Sequence, residues 1–425
     1  MSLVRSRSLA AVLAPRFAPM LLSAAGLACV GPGTVGDAGL EDRAATEPPD
    51  PDAALPDASS TDVARNDAAT ATLAARVEAL MRPAFDPTPS SLAQCVGGVA
   101  VIVTPAEERM GGWGATTLGG SVSPDASTLF QIGSLTKVFT GLAMAQRIEE
   151  GAFGPDTRAG ELLAEDLRGA SASWPTMAAL ITHHGGLPAY PSNLVDRDGD
   201  GRRDPGIDPR SPAAGYGRAD LRAALASWTS PSDAPYSYSN VGLGLVGLAL
   251  QDQLGLESHD ETLRRTVTSE LGMRETWGEV SAIPPEARAR LADGHAREGD
   301  ARVIGIPGQM GVLASAGEIV TSARDMRLLL RALTGLERTG LAGAISRATT
   351  PLAAGPDGRE MGYAIEIENL AGVVRYRKGG NTSSYAAYLL WSTSPQVGVA
   401  VLTNCGGFMS VVTLSEQLYE AARSP

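Results

Sequence analysis

Phe130-Gln131-Ile132-Gly133-Ser134-Leu135-Thr136-Lys137 opens a helical stripe. Leu135, Val138, Phe139, Leu142 and Ile148 recur at helical spacing, and Gly151 closes the run. Ser134 falls in the first turn, and Lys137, three residues on, shares its face. The positive end of a helix lowers the cost of a developing alkoxide or oxyanion. A lysine beside it, once desolvated, is neutral enough to take the serine's proton. Ser-x-x-Lys alone reads as a capping serine and a surface lysine, so the stretch takes any catalytic meaning from its surroundings.

Strand-like runs lie on both sides of it. Upstream, Leu73, Val77, Leu80 and Met81 form a short helical repeat that ends at Pro83. Residues 95–104 (CVGGVAVIVT) then read as a strand, with a hairpin partner over 109–120. From Gly133 to about Val320 the pattern is mostly helical and broken by long loops. Strands return over 373–378, 385–391 and 397–404, the last two joined by Ser-Thr-Ser-Pro. Leu414, Leu418 and Ala422 mark a closing helix. The expected fold is α/β of the α+β type. N- and C-terminal strands form one antiparallel sheet flanked by helices, with an inserted, mainly helical subdomain.

The chain has 425 residues, a net charge of −12 and 44% hydrophobic residues, enough for a sizeable core. An acidic chain without a basic cluster excludes the nucleic-acid binders, whose ligand demands Lys and Arg. No apolar run reaches the roughly 18 residues of a membrane span. Three Cys and four His, with neither a CxxC nor an HExxH, leave little for zinc. Arg5, Arg7 and Arg16 precede an apolar run over 17–28, the pattern of a secretory signal. Gly26-Leu27-Ala28-Cys29 resembles a bacterial lipoprotein signal, in which the Cys is lipidated. Lipidation at Cys29, ordinary cleavage and a retained structural segment are the readings here. Residues 29–72 are rich in Ala, Asp, Pro, Ser and Thr, with nine acids against Arg43 and Arg65. They read as a disordered tether, too poor in large apolar groups to offset its ordering entropy, and spanning roughly 35–40 Å. Residues 73–425 form the remaining domain.

Two further polar clusters stand at element boundaries. Tyr238-Ser239-Asn240 precedes a very apolar helix; a phenol can relay protons and an Asn amide can hold a substrate amide. Lys378-Gly379-Gly380-Asn381-Thr382 ends a strand; its cation can attract a carboxylate or tune a nearby Tyr, and its glycines let substrate lie against backbone. Each is ordinary by itself.

In this order, Ser-x-x-Lys, Tyr-x-Asn and Lys-x-Gly resemble the signature of serine β-lactamases and penicillin-binding proteins, most of all the class C β-lactamase and DD-peptidase family. Leu180-Ile-Thr-His-His-Gly-Gly-Leu-Pro188, Glu270-Leu-Gly-Met-Arg-Glu-Thr276 and residues 311–330 are similar to other segments of that family. The resemblance runs from about residue 74 to 423. It implies a β-lactamase/transpeptidase-like fold and an acyl-enzyme at Ser134, formed on a β-lactam, a D-amino peptide or an ester. By the same resemblance Lys137 is the base, and Tyr238 the proton relay and the base of deacylation. Asn240 holds the substrate amide, and Lys378 binds carboxylate and tunes Tyr238. Gly380 and Asn381 lie along the substrate, and the oxyanion hole is the N–H of Ser134 and Asn381. No cofactor serves catalysis. The partner is a small-molecule or peptide substrate, peptidoglycan-derived compounds included; the membrane is met only through a lipid anchor, and the expected place is the bacterial cell envelope, as a periplasmic protein or outer-membrane lipoprotein, with secretion as the alternative. Departures from the family are Gly379 for a hydroxyl residue, Ser383-Ser384-Tyr385, and Ser232-Asp-Ala-Pro235 before Tyr236. They weigh against β-lactamase activity more than against hydrolysis. A catalytically weak peptide- or peptidoglycan-binding protein on the same fold is the alternative. An α/β-hydrolase is set aside, since Ser134 has no G-x-S-x-G elbow.

The family fold lays the first and last strands side by side and antiparallel. If Cys29 is lipidated, Cys95 and Cys405 remain as a pair, and that arrangement could bring their Cα atoms within the roughly 4.4–6.8 Å that a bridge needs. Two separate buried thiols are the other reading. His183 and His184, being adjacent, diverge, and read as capping or packing groups. Asp196, Asp198, Asp200 and Asp204, with Gly201 at the sixth position, follow the calcium-loop pattern without its twelfth-position acid; Asp208 comes one place late. Calcium and a self-paired polar loop both remain open.

Overall fold

The computed structural model describes residues 72–85, 94–226, 228, 229, 231 and 233–424. The expected signal, Cys29 and the expected tether up to residue 71 lie outside them. In chain order the strands are β1 (Gly97–Val103), β2 (Glu108–Gly114), β3 (Leu129–Gln131), β4 (His295–Glu298), β5 (Ala301–Ile304), β6 (Val320–Ser322), β7 (Ala353–Ala354), β8 (Glu360–Met361), β9 (Glu366–Leu370), β10 (Val373–Asn381), β11 (Ala386–Thr393) and β12 (Gln396–Thr403). The helices that carry most of the packing are α1 (Leu73–Met81), α2 (Thr136–Glu149), α3 (Asn240–Leu254), α4 (Ala323–Leu333) and α5 (Ser410–Arg423).

Alternation along a strand sends successive side chains to opposite faces. On β1, Val99, Val101 and Val103 enter a core shared with α2, α3 and α4. Ala100 and Ile102 enter a second core with Leu73 and Val77 of α1 and Leu414 and Leu418 of α5. β11 and β12 divide their residues in the same way. The sheet is thus the middle of three layers, which is why its central strands read as continuous apolar runs. Its order is β2-β1-β12-β11-β10-β9-β8-β7, antiparallel throughout, with Val101 opposite Ala400 and Lys378 opposite Leu389. The N-terminal strands pair directly with the C-terminal ones, and a mainly helical insertion intervenes: the fold is α/β, of the α+β type.

Two features differ from the sequence expectation. The sheet continues past β10 into β9, β8 and β7, which are short or charged and show no apolar run. The helical insertion carries two small ribbons, β3 with β6 and β4 with β5. β3 and β6 matter for function, because β3 feeds the turn that presents Ser134. Cys95 and Cys405 form a disulfide with Cα atoms 5.7 Å apart, tying the entry to β1 to the exit from β12.

Candidate active site

β3 ends at Gln131, whose side-chain amide donates to Gly308 O at 2.6 Å and accepts from Gly308 N at 2.9 Å. Ile132 N–H donates to Ile319 O at 2.9 Å. Gly133 takes a φ of +52°, and a tight turn over Gly133–Leu135 leads into α2. A Cβ at Gly133 would lie 2.7 Å from Asn381 N, and one at Gly380 only 1.9 Å from Ile132 O. Only glycine permits these contacts. Together they let β10 lie directly on the Ser134 turn, so that Asn381 backbone borders Ser134. Gly380 is therefore buried under this turn rather than lying along open substrate space. The Asn381 side chain turns away and accepts from Gly407 N at 2.8 Å.

Ser134 is half-buried. Its Oγ lies 3.0 Å from Lys137 Nζ and accepts from Tyr238 Oη at 2.5 Å. Lys137 is fully buried, and its Nζ also donates to Asn240 Oδ1 at 2.8 Å and Ala316 O at 2.6 Å. Burial, reinforced by the positive charge of Lys378, holds Lys137 well below the ordinary lysine range. A neutral amine has two N–H donors and one lone pair. Asn240 and Ala316 take the donors, and the lone pair faces the Ser134 hydroxyl. Burial pushes the Tyr238 phenol above its ordinary value, so that it is a proton donor at rest. The Lys378 ammonium stands over the ring face, 5.3 Å from its centroid, and its charge acts on Lys137.

Asn240 is the first residue of α3. Ser239 caps that helix, accepting from Gly242 N at 2.8 Å and donating to Pro188 O at 2.7 Å. With its oxygen given to Lys137, Asn240 keeps its NH₂ as a donor. Tyr190, exposed at the rim, hydrogen-bonds the Asn240 side chain; no sequence pattern pointed to it. His183 is a buried support. With φ +66° it accepts from Ser239 N through Nδ1 at 3.2 Å and from Ser237 N through its carbonyl at 2.9 Å. Its ring lies 4.6 Å from that of Tyr238. Burial, with Lys378 and Lys137 nearby, holds it neutral. His184 instead bonds Thr182 O at 2.9 Å. Tyr385, in the departure after Thr382, is buried and donates to Ala292 O at 2.8 Å.

This geometry joins the three motifs, 244 residues from first to last, around one hydroxyl. The β-lactamase family model matches residues 73–422. The chain belongs to the β-lactamase family. Among solved structures, it is similar to a β-lactamase from Sulfitobacter sp. EE-36, with 22% identity over 83% of this chain and 98% of that one and a TM-score of 0.66. A class C β-lactamase from Rhodobacter sphaeroides gives 22% identity, 81% and 97% coverage and a TM-score of 0.65. A β-lactamase/D-alanine carboxypeptidase from Pseudomonas syringae gives 18%, 82% and 99%, and 0.65. At these identities the structures establish the shared fold. Family membership makes this a serine hydrolase fold.

The remaining polar cluster lies in the loop at 196–208. Asp196, Asp198 and Asp204 each bring an oxygen within 4.8 Å of the others. Asp200 is outside this group; its Oδ1 accepts from Arg202 N at 2.8 Å. Asp208 is turned to Arg210 at 2.7 Å, which lowers its carboxyl to about 2.

Proposed function

We propose that this β-lactamase-family protein is a cell-envelope serine hydrolase that forms an acyl-enzyme at Ser134 on an amide or ester. The observation that carries the reading is the placement of Ser134 Oγ between Lys137 Nζ at 3.0 Å and Tyr238 Oη at 2.5 Å. Ser134 Oγ attacks the carbonyl carbon while its proton passes to Lys137. The oxyanion meets the backbone N–H groups of Ser134 and Asn381. On collapse the leaving group takes a proton from Tyr238, whose oxygen is made good by the proton on Lys137. Water then adds to the acyl carbon as Tyr238 takes its proton and passes its own to Lys137, and on collapse that proton returns to Ser134 Oγ as the acid leaves. Labelling by a fluorophosphonate or a fluorescent penicillin tests this, with the adduct mapped by peptide sequencing. Expected is modification of Ser134, absent in Ser134→Ala. Labelling that persists in Ser134→Ala overturns the reading, and no labelling of the wild type leaves the binding protein in its place.

Residues 1–28 are an export signal, Cys29 the lipidated residue, 29–72 a tether and 73–425 the hydrolase domain. The basic start and apolar run support export, as does the Cys95–Cys405 disulfide, a bond of oxidising compartments. The loop at 196–208 takes a structural Ca²⁺ on Asp196, Asp198 and Asp204; the clustering of their oxygens supports this.

A further inference from the structure

Lys378 is 3% exposed and so is costly to leave charged without a partner. Its partner comes from this chain. Glu366, the first residue of β9, places Oε1 3.8 Å from Lys378 Nζ. The other oxygen of Glu366 lies 3.4 Å from Arg359 and 3.7 Å from Arg377. Arg377 in turn answers to Glu368 at 3.3 Å and Glu416 at 3.4 Å. The positive charge beside Tyr238 thus faces Glu366, an acid of the protein's own sheet. Gly379, the next residue, has no hydroxyl to add a hydrogen bond to an incoming anion, although a Cβ there would meet only the Tyr388 ring, at an ordinary 3.4 Å.

We infer that Glu366 is a built-in carboxylate partner of Lys378, and that the site therefore selects neutral acyl compounds, esters or amides with no carboxylate on the side facing Lys378. A substrate carboxylate arriving there would be repelled by Glu366 and would have to shed its water for an ammonium already compensated. Glu366 acts through Lys378 and is a specificity-determining, positioning residue. The inference rests on Ser134 hydrolase chemistry only for its kinetic test.

The kinetic test uses the phenyl and 3-carboxyphenyl esters of one N-acylglycine, which differ only in the carboxylate on the leaving group. Wild type is expected to show no gain in kcat/KM from the carboxylate. Glu366→Gln keeps the shape and removes the charge; it is expected to raise the ratio of carboxylated to neutral ester at least tenfold, through KM. A merely structural role would lower both esters together. A wild type that prefers the carboxylated ester tenfold, or a ratio unmoved in Glu366→Gln, overturns the inference. Binding of N-acetyl-D-alanine against its amide, followed by thermal shift, needs no turnover. Wild type favouring the amide, and Glu366→Gln favouring the acid, supports the inference even if Ser134 labelling fails; wild type favouring the acid sinks it whatever Ser134 does.

Discussion

Lys137 and Asp196 stand in polar regions built on opposite plans. The Lys137 amine bonds groups at positions 134, 240 and 316, from a turn, a helix start and the end of a distant short helix, and no part of it is exposed. Asp196 accepts from the backbone N–H of Gly199 at 2.9 Å and Gly201 at 3.0 Å, within five residues of itself and at the surface. The first arrangement exists only when the whole domain is folded, and so it holds its groups rigidly and desolvated. The second can form in a short peptide and stays wet. Catalysis needs the former, because a neutral lysine and a protonated phenol about one serine depend on burial. A polar loop can serve an ion without such support.

The difference is sharpest under mutation. Lys137→Ala removes the proposed base and leaves Asn240 Oδ1 and Ala316 O without their shared donor. Tyr238→Phe removes the proton donor. Each is expected to lower kcat/KM by about 10²–10⁴-fold, the usual worth of a positioned acid or base. Single-turnover kinetics on an activated ester checks this. Loss of less than tenfold in both variants would mean that the buried cluster is structural and not chemical.

Next is the covalent tie between the ends of the sheet. Cys95 and Cys405 are 310 residues apart and both fully buried. Replacing both by Ser is expected to cost about 2–5 kcal/mol, the common range for a native disulfide. Urea unfolding of the oxidised wild type against the double variant measures it. Equal midpoints would show that β1 and β12 need no clamp beyond their ladder and their two cores.

A subtler effect concerns charge. Lys137 is depressed by burial first and by Lys378 second. Its neutral, active form therefore dominates above its lowered pKa, and activity falls as pH drops through it. Lys378→Met removes a positive neighbour, so the pKa of Lys137 rises and the acid limb of kcat/KM moves to higher pH. A limb that stays put, or moves to lower pH, would show that Lys378 does not govern the base.

Much of this arrangement was legible before the fold was seen, for physical reasons that vary by residue. Ser134 and Tyr238 sit where an element begins, and such boundaries carry local marks, Gly133 with a helical stripe and the Ser239 cap; Lys378 lies inside β10 and is marked by the paired glycines that follow it in the strand. The central strands were legible because both faces are buried. β9 was not, since Glu366 and Glu368 answer to Arg359, Arg375 and Arg377 across the sheet; a strand whose partners are charges looks like loop. Glu366 stayed hidden with it. His183 was legible only as a packing group, because its service to Ser239 and Tyr238 depends on a left-handed backbone that histidine seldom adopts. Glu318 gave no sign at all. It is buried and accepts from Met310 N at 2.7 Å and Val280 N at 3.0 Å, and burial lifts its carboxyl to about 7.

The smallest effect belongs to the loop. Asp198 accepts one backbone bond, from Asp200 N at 3.1 Å, and is exposed. Without an ion, Asp198→Ala is expected to change stability by no more than about 0.5 kcal/mol, as surface changes do. With Ca²⁺ the arithmetic differs, since an ion that binds only the native state stabilises it in proportion to the logarithm of its concentration over Kd. Millimolar Ca²⁺ is therefore expected to raise the Tm of the wild type, chelator to reverse the rise, and Asp198→Ala to abolish it while leaving the calcium-free Tm in place. Differential scanning calorimetry with and without chelator reads all three. A wild-type Tm indifferent to calcium would mean that the backbone N–H groups of residues 197, 199, 200 and 201 are all that these aspartates serve, and the loop would then be a surface turn, self-paired.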